Sequence, residues 1–216
     1  MKNNIFLKRT ILHFINSLIT AFLGIISIKI FGMYVSPDNY GIYSVIYSIY
    51  AVVVAIASMI FSQSILRYYS EYEKKNELGL FYKVYWEMFI IFSVIFAFLS
   101  LLTVPFIAIF VENKLYSSLI IAFIFSFLIE CFFNTTISIV RCKGAAADEI
   151  KSTIINQSSK LILFLILFFF IIRGNVVSIV LATAGGFILS MFSLIKHWEK
   201  PKKCFLLYLK EKLIKY

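Results

Sequence analysis

The sequence predicts an all-α integral membrane protein, a bundle of six transmembrane helices. Three observations predict it. Of the 216 residues, 61% are hydrophobic and only 15% are charged, against about 25% charged in an ordinary soluble domain. The apolar residues come in blocks of about 20, the length that crosses the hydrocarbon of a bilayer as a helix. The positive charges gather in alternate intervals between those blocks.

The mean hydropathy is +0.91. A soluble fold of this size could not cover so much apolar surface with so few charges, whereas lipid serves as solvent for it. The net charge of +10 does not indicate a nucleic-acid partner, because the basic residues lie in short stretches between apolar blocks. There they read as topology signals and as contacts for anionic lipid headgroups. The three cysteines form no disulfide framework: Cys131 falls in an apolar block, and Cys142 and Cys204 fall in loops placed in the cytoplasm, where thiols stay reduced. His13 and His197 read as polar residues near helix ends, each without a partner. Neither a metal site nor a cofactor is expected. Met1 to Ile28 has the basic start of a signal peptide, but its apolar run is long and has no small-residue cleavage pattern, so it is read as a retained first helix.

The six spans are placed at 10–32, 42–64, 84–110, 116–140, 153–172 and 175–195. Ser36-Pro37-Asp38-Asn39, Glu112-Asn113-Lys114 and Arg173-Gly174-Asn175 supply the outer turns. Pro105 is expected to kink the outer end of the third span. Orientation follows from the positive charges. Lys2, Lys8 and Arg9, then Arg67, Lys74, Lys75 and Lys83, then Arg141, Lys143 and Lys151 occupy the intervals on one side, with seven further lysines after the sixth span. Only Lys114 and Arg173 lie on the other side, while Lys29 and Lys160 fall inside spans. Both ends are therefore expected in the cytoplasm, with short outer loops and longer inner ones.

Small residues mark packing seams. Ala182, Gly186 and Ser190 recur every four residues on the sixth span, and Ala51, Ala55, Ser58 and Ser62 line a stripe of the second. Residues 1–195 thus read as one six-helix lobe. Residues 196–216 read as a basic tail whose Leu, Phe and Lys pattern suits an amphipathic helix on the inner leaflet, or a lead into a further span.

Charge at membrane depth is the most informative feature. A charged side chain at a helix centre costs roughly 2.5–3.5 kcal/mol on insertion scales, so such groups face a cavity or a partner. Glu130 sits about 3 Å from the midplane of the fourth span, with Asn134 one turn on. The apolar run Leu161–Ile172 is too short to cross alone, so the fifth helix must carry Asn156-Gln157-Ser158-Ser159-Lys160 at membrane depth. A helix polar in its inner half and apolar in its outer half suggests a water-filled cavity open to the cytoplasm. Three readings of Lys160 stand: a site for an anionic ligand group with Glu130 as counter-charge or proton site, a plain Glu130–Lys160 ion pair, or snorkelling to the inner surface. Lys29, about 12 Å from the midplane, suits snorkelling to the outer headgroups. Arg67 is either an inner anchor or a phosphate contact. Asn16 and Gln63 are candidate cavity-facing groups. No P-loop, H-E-x-x-H or G-x-S-x-G motif is present, so an enzyme is not expected.

The stretch Ser36-Pro37-Asp38-Asn39-Tyr40-Gly41-Ile42-Tyr43-Ser44 follows a first helix carrying Asn16 and Gly24. A second helix then ends in Ser64-Ile65-Leu66-Arg67-Tyr68-Tyr69-Ser70-Glu71-Tyr72. This resembles the polysaccharide biosynthesis, or O-antigen (Wzx-type), flippases of the multidrug/oligosaccharidyl-lipid/polysaccharide exporter superfamily. Their first outer turn reads "gPxxYGxYs" and their second helix ends in "R-y-x-s-E". Val140-Arg141-Cys142-Lys143-Gly144 is also similar. The resemblance implies movement of an undecaprenyl-diphosphate-linked oligosaccharide between leaflets of the bacterial inner membrane by alternating access. It implies a cationic central cavity, to which Lys160, Arg67 and Lys29 are the matching candidates, with Asn156, Gln157, Gln63 and Asn16 beside them. Glu130 and Asn134 are candidates for ion coupling. Members have 12 to 14 helices in two lobes, so this chain corresponds to the N-terminal lobe of a MATE-like transporter and is expected to need a second lobe or another chain. Two other readings are an ion-coupled multidrug exporter of the same superfamily and a non-transporting membrane fragment or scaffold.

Overall fold

A computed structural model describes residues 2–110, 114–171 and 174–198, with side chains from Thr10 onward except at 101 and 103–110. Six helices follow in order: α1 (Lys2–Tyr34), α2 (Pro37–Lys74), α3 (Leu78–Phe110), α4 (Lys114–Cys142), α5 (Ala146–Ile166) and α6 (Val177–Leu194). All six include a stretch long and apolar enough to cross a membrane. Phe22, Ile25, Met59, Phe125, Phe170 and Phe192 point outward and are well exposed, as lipid-facing side chains are. The chain is an all-α six-span membrane bundle.

The helices begin and end differently from the expected spans. Ser36 occupies the N-cap position of α2, and Pro37 and Asp38 form its first turn, where a missing N–H and an acidic charge are both favourable. At the other end α2 continues as helix to Lys74, and α5 already starts at Ala146. The longer inner loops expected from the sequence are therefore helix, and the two connections on that side are three-residue turns. Both use the same cap. Glu77 N–H reaches Tyr72 O and Asn76 N–H reaches Glu73 O around Asn76 at φ 56°. Ala145 N–H reaches Val140 O and Gly144 N–H reaches Arg141 O around Gly144 at φ 68°. This pair of hydrogen bonds across a left-handed residue closes a helix compactly, and Asn and Gly tolerate that conformation. At 38 residues α2 is about 57 Å long, well beyond the hydrocarbon thickness of about 30 Å. Its last turns carry the exposed Glu71–Lys75 pair at 2.7 Å. The third span's Pro105 side chain, the turn at Glu112 and Asn113, and the tail beyond Trp198 lie outside the described residues.

The helices pack as an arc. α1 lies on α5, α5 on α6, α6 on α4 and α4 on α2, with α3 against α2 and α4. α1 and α2 touch sparingly. Beside their connecting turn a cluster with Phe31, Tyr43, Phe123, Phe164 and Val180 closes the arc. At the opposite end, where most of the cations lie, Ile65, Tyr69, Tyr82, Tyr85 and Phe89 form a second cluster with Trp198. After Ile166, α5 passes into a π-helical turn, Leu167–Ile171, with no forewarning in its uniformly apolar sequence.

The tightest seam is α5–α6. Ala182, Gly186 and Ser190 are all buried. A methyl group added at Gly186 would lie 2.8 Å from Asn156 Oδ1, 2.9 Å from the Asn156 backbone carbonyl oxygen and 3.3 Å from the Lys160 backbone nitrogen. The stripe on α2 divides: Ser58 and Ser62 meet α4, whereas Ala51 is half-buried and Ala55 exposed. Gly186→Ala is expected to lower the melting temperature in detergent, at a cost of about 1–3 kcal/mol, because backbone atoms cannot rotate away. Gly24→Ala, with nothing within 4 Å of the new methyl, is expected to be neutral or stabilising; thermal unfolding of both variants checks the contrast.

Candidate functional site

Helix α5 carries one polar stripe. Glu149, Ser152, Asn156 and Lys160 follow at spacings of three and four and so share a face, with Gln157 beside it. Glu149, Ser152 and Asn156 are at least nine-tenths buried. Ser152 Oγ, Asn156 Oδ1, Gln157 Oε1 and, across on α1, Asn16 Oδ1 are buried without a hydrogen-bond partner among the described residues. Such atoms are costly in an apolar interior, at about 1–3 kcal/mol each.

Glu149 is the hub at the basic end. Arg141 donates to its Oε1 from Nε at 3.0 Å and from Nη2 at 2.8 Å. Asn16 Nδ2 donates to the same oxygen at 3.3 Å, and His13 Nδ1 lies 3.3 Å from Oε2. Sequence reasoning missed this residue by leaving it in a loop. Gly144 followed by acidic Asp148 and Glu149 was the available signal, since it marks a helix stop and then a restart. The expectation that both histidines lack partners is overturned, because folding brings each against a carboxylate of α5. His13 faces Glu149, and His197 Nε2 lies 3.0 Å from Asp148 Oδ2, next to the Lys196–Asp148 pair at 2.7 Å. Lys143 Nζ donates to the His197 carbonyl at 2.8 Å, and Trp198 stacks on Phe132 and lies tilted against Trp86. Cys142 ends α4 as a free thiol and is not in a loop.

Deeper in the bundle the polar groups change partners. The Tyr50 hydroxyl donates to Glu130 Oε2 at 2.9 Å. Asn134 Nδ2 donates to Ser58 Oγ at 3.2 Å, and Ser138 Oγ to Ser62 Oγ at 3.0 Å, so α2 and α4 are zipped by side chains. Lys160 stands on α5 near enough to Glu130 for the two charges to interact. The pair makes no direct ion pair within 4.0 Å, which removes the plain-pair reading. The Lys160 ammonium instead lies 5.4 Å over the Phe31 ring. Lys29, Gln63 and Arg67 are exposed, and Arg67 lies 5.3 Å over its own neighbour Tyr68. Lys29 is near the α1–α2 turn and Arg67 near the basic end, roughly 35 Å apart along the helix axes at 1.5 Å per residue. The three expected cations therefore do not converge on one group; Lys160 alone of them is turned into the bundle, over Phe31.

The described spans have polar groups held at depth on α2, α4 and α5, with apolar faces outside. A family model described as polysaccharide biosynthesis protein matches residues 6–216. The chain belongs to the polysaccharide biosynthesis protein family. No curated protein and no solved structure matches it. Membership joins the six-span architecture to a role in polysaccharide biosynthesis at a membrane. Glu149→Leu, which removes the acceptor of Arg141 and Asn16 and the carboxylate facing His13, is expected to destabilise by about 1–3 kcal/mol. Glu149→Gln keeps an acceptor oxygen and is expected to lose less; melting temperatures in detergent measure both.

Proposed function

We propose that this chain is one lobe of a flippase. It moves an undecaprenyl-diphosphate-linked oligosaccharide from the inner to the outer leaflet of the bacterial inner membrane by alternating access, working with a second lobe or chain. Its basic end, where α1 begins and α6 ends, faces the cytoplasm. The observation that carries this reading is Lys160. It is a cation at membrane depth on a helix with unsatisfied polar atoms, close to Glu130 but not neutralised by direct contact with it. A charge held this way in lipid is expensive and marks a path for polar cargo. Lys160 would attract the diphosphate, and Asn156 and Gln157 would offer it hydrogen bonds. Glu130, held by Tyr50, would carry the counter-charge or the coupling ion, with Asn134 one turn away. Arg67, exposed at the basic end, would meet the headgroup on entry, and Lys29 would meet it on exit.

Complementation of a flippase-null strain tests this, using the chain alone and the chain with an appended second lobe. Rescue is expected with the second lobe. In that background Lys160→Gln is expected to lower transport per folded molecule about tenfold, the loss of one charge-assisted contact, with folded yield unchanged. No rescue by either form, or equal loss of folded yield in Lys160→Gln and Glu130→Gln with transport per molecule intact, would overturn the reading.

A further inference from the structure

Helix α2 carries a ladder of aromatic rings. Tyr40, Tyr43, Tyr47 and Tyr50 follow at spacings of three, four and three, so they share one face. Successive ring centroids are 5.8, 5.6 and 6.3 Å apart. Tyr43 and Tyr47 are nearly parallel, at 17°. Phe123 of α4 backs the ladder, 4.5 Å from Tyr50 and 6.0 Å from Tyr43. The ladder ends at the hydrogen bond from Tyr50 to Glu130.

This packing buries Tyr43, yet Tyr47 remains 42% exposed. Its direction follows from helix geometry. On one flank of α2, Ile46, Ile49 and Val53 line an apolar groove that Tyr50, Phe96 of α3 and Phe123 of α4 also border. One residue past Ile46, Tyr47 is turned about 100° from that flank, its ring 6.2 Å from Phe123 of α4. Side chains on a helix lean toward its N-terminus. Tyr47 therefore rests one ring face on Tyr43 and turns the other toward positions 51 and 55. Those positions hold only alanine, Ala51 half-buried and Ala55 exposed. A larger residue at either would cover the free ring face.

Lipid tails need no stacked rings with a carboxylate at their edge. A flat apolar face bordered by a hydroxyl and a carboxylate, with Lys160 of α5 interacting with that same carboxylate, matches the amphipathic surface of a sugar. The C–H face of a pyranose packs on the ring and its hydroxyls donate to the carboxylate. We infer that the free face of Tyr47, flanked by Tyr50 and Glu130, is the subsite for the pyranose next to the diphosphate of the lipid-linked cargo. The inference rests on the flippase reading above and gives it a sugar contact.

The test uses the full purified chain in lipid nanodiscs. The probes are farnesyl diphosphate and farnesyl diphosphate carrying glucose, galactose or N-acetylglucosamine. For the wild-type chain at least one sugar is expected to tighten binding about fivefold over farnesyl diphosphate, the scale of one stacked aromatic contact. Tyr47→Phe, which keeps the ring, is expected to keep that gain. Tyr47→Leu is expected to lose it while binding farnesyl diphosphate as the wild type does, which also shows that the variant is folded. No gain with any of the three sugars, or a gain that survives in Tyr47→Leu, overturns the sugar subsite and leaves the flippase reading standing. Failure of the wild-type chain to bind any of the four probes overturns both.

Discussion

Helix α6 lies flat against α5 because position 186 has no side chain. The carbonyl of Asn156 and the nitrogen of Lys160 sit where a methyl group would go. In lipid no hydrophobic force draws two helices together, so association rests on close van der Waals contact and on side-chain hydrogen bonds. That contact sets the rotation of α5. With the backbone at Asn156 and Lys160 pressed on α6, the Lys160 side chain is carried over Phe31 of α1, and Glu149 is carried into reach of His13 and Asn16. The polar stripe is a consequence of the seam.

The two ends of the arc are held by different physics. Beside the α1–α2 turn the closure is aromatic and aliphatic, with Phe31 on Phe164 at 4.6 Å and Tyr43 on Phe123 at 6.0 Å. At the basic end it combines ion pairs around Glu149 and Asp148 with the Trp198 stack. Charged contacts can exchange partners or yield to water where a packed core cannot, and that end is where a polar cargo is proposed to enter. Between the ends, polar side chains zip α2 to α4 and leave the groups of α5 partly unmatched. Full satisfaction would have given a quieter bundle with nothing to offer a ligand.

Much of this was legible in the sequence and some was not. The depth of Lys160 followed from an apolar run too short to cross, and the small stripe on α6 announced a close seam. Glu149 was missed because the start of α5 was placed seven residues late; helix boundaries depend on caps, and the Gly144 cap was read as a loop. The partners of His13 and Glu130 were out of reach for another reason. Asn16 and Glu149 are 133 positions apart, and Tyr50 and Glu130 are 80 apart. Periodicity describes which residues share a face of one helix and says nothing of which face meets which.

The sequence by itself determined that this is a membrane bundle of six helices with polar groups at depth, because lipid admits only apolar blocks of fixed length with their backbones satisfied internally. Only the tertiary structure decided that Glu130 answers to Tyr50 and not directly to Lys160, that Glu149 gathers Arg141, His13 and Asn16, and that Lys29, Arg67 and Lys160 stand apart. Those outcomes depend on the rotation of each helix about its own axis. That rotation is set by contacts such as Gly186 against Asn156, made between helices and not within one.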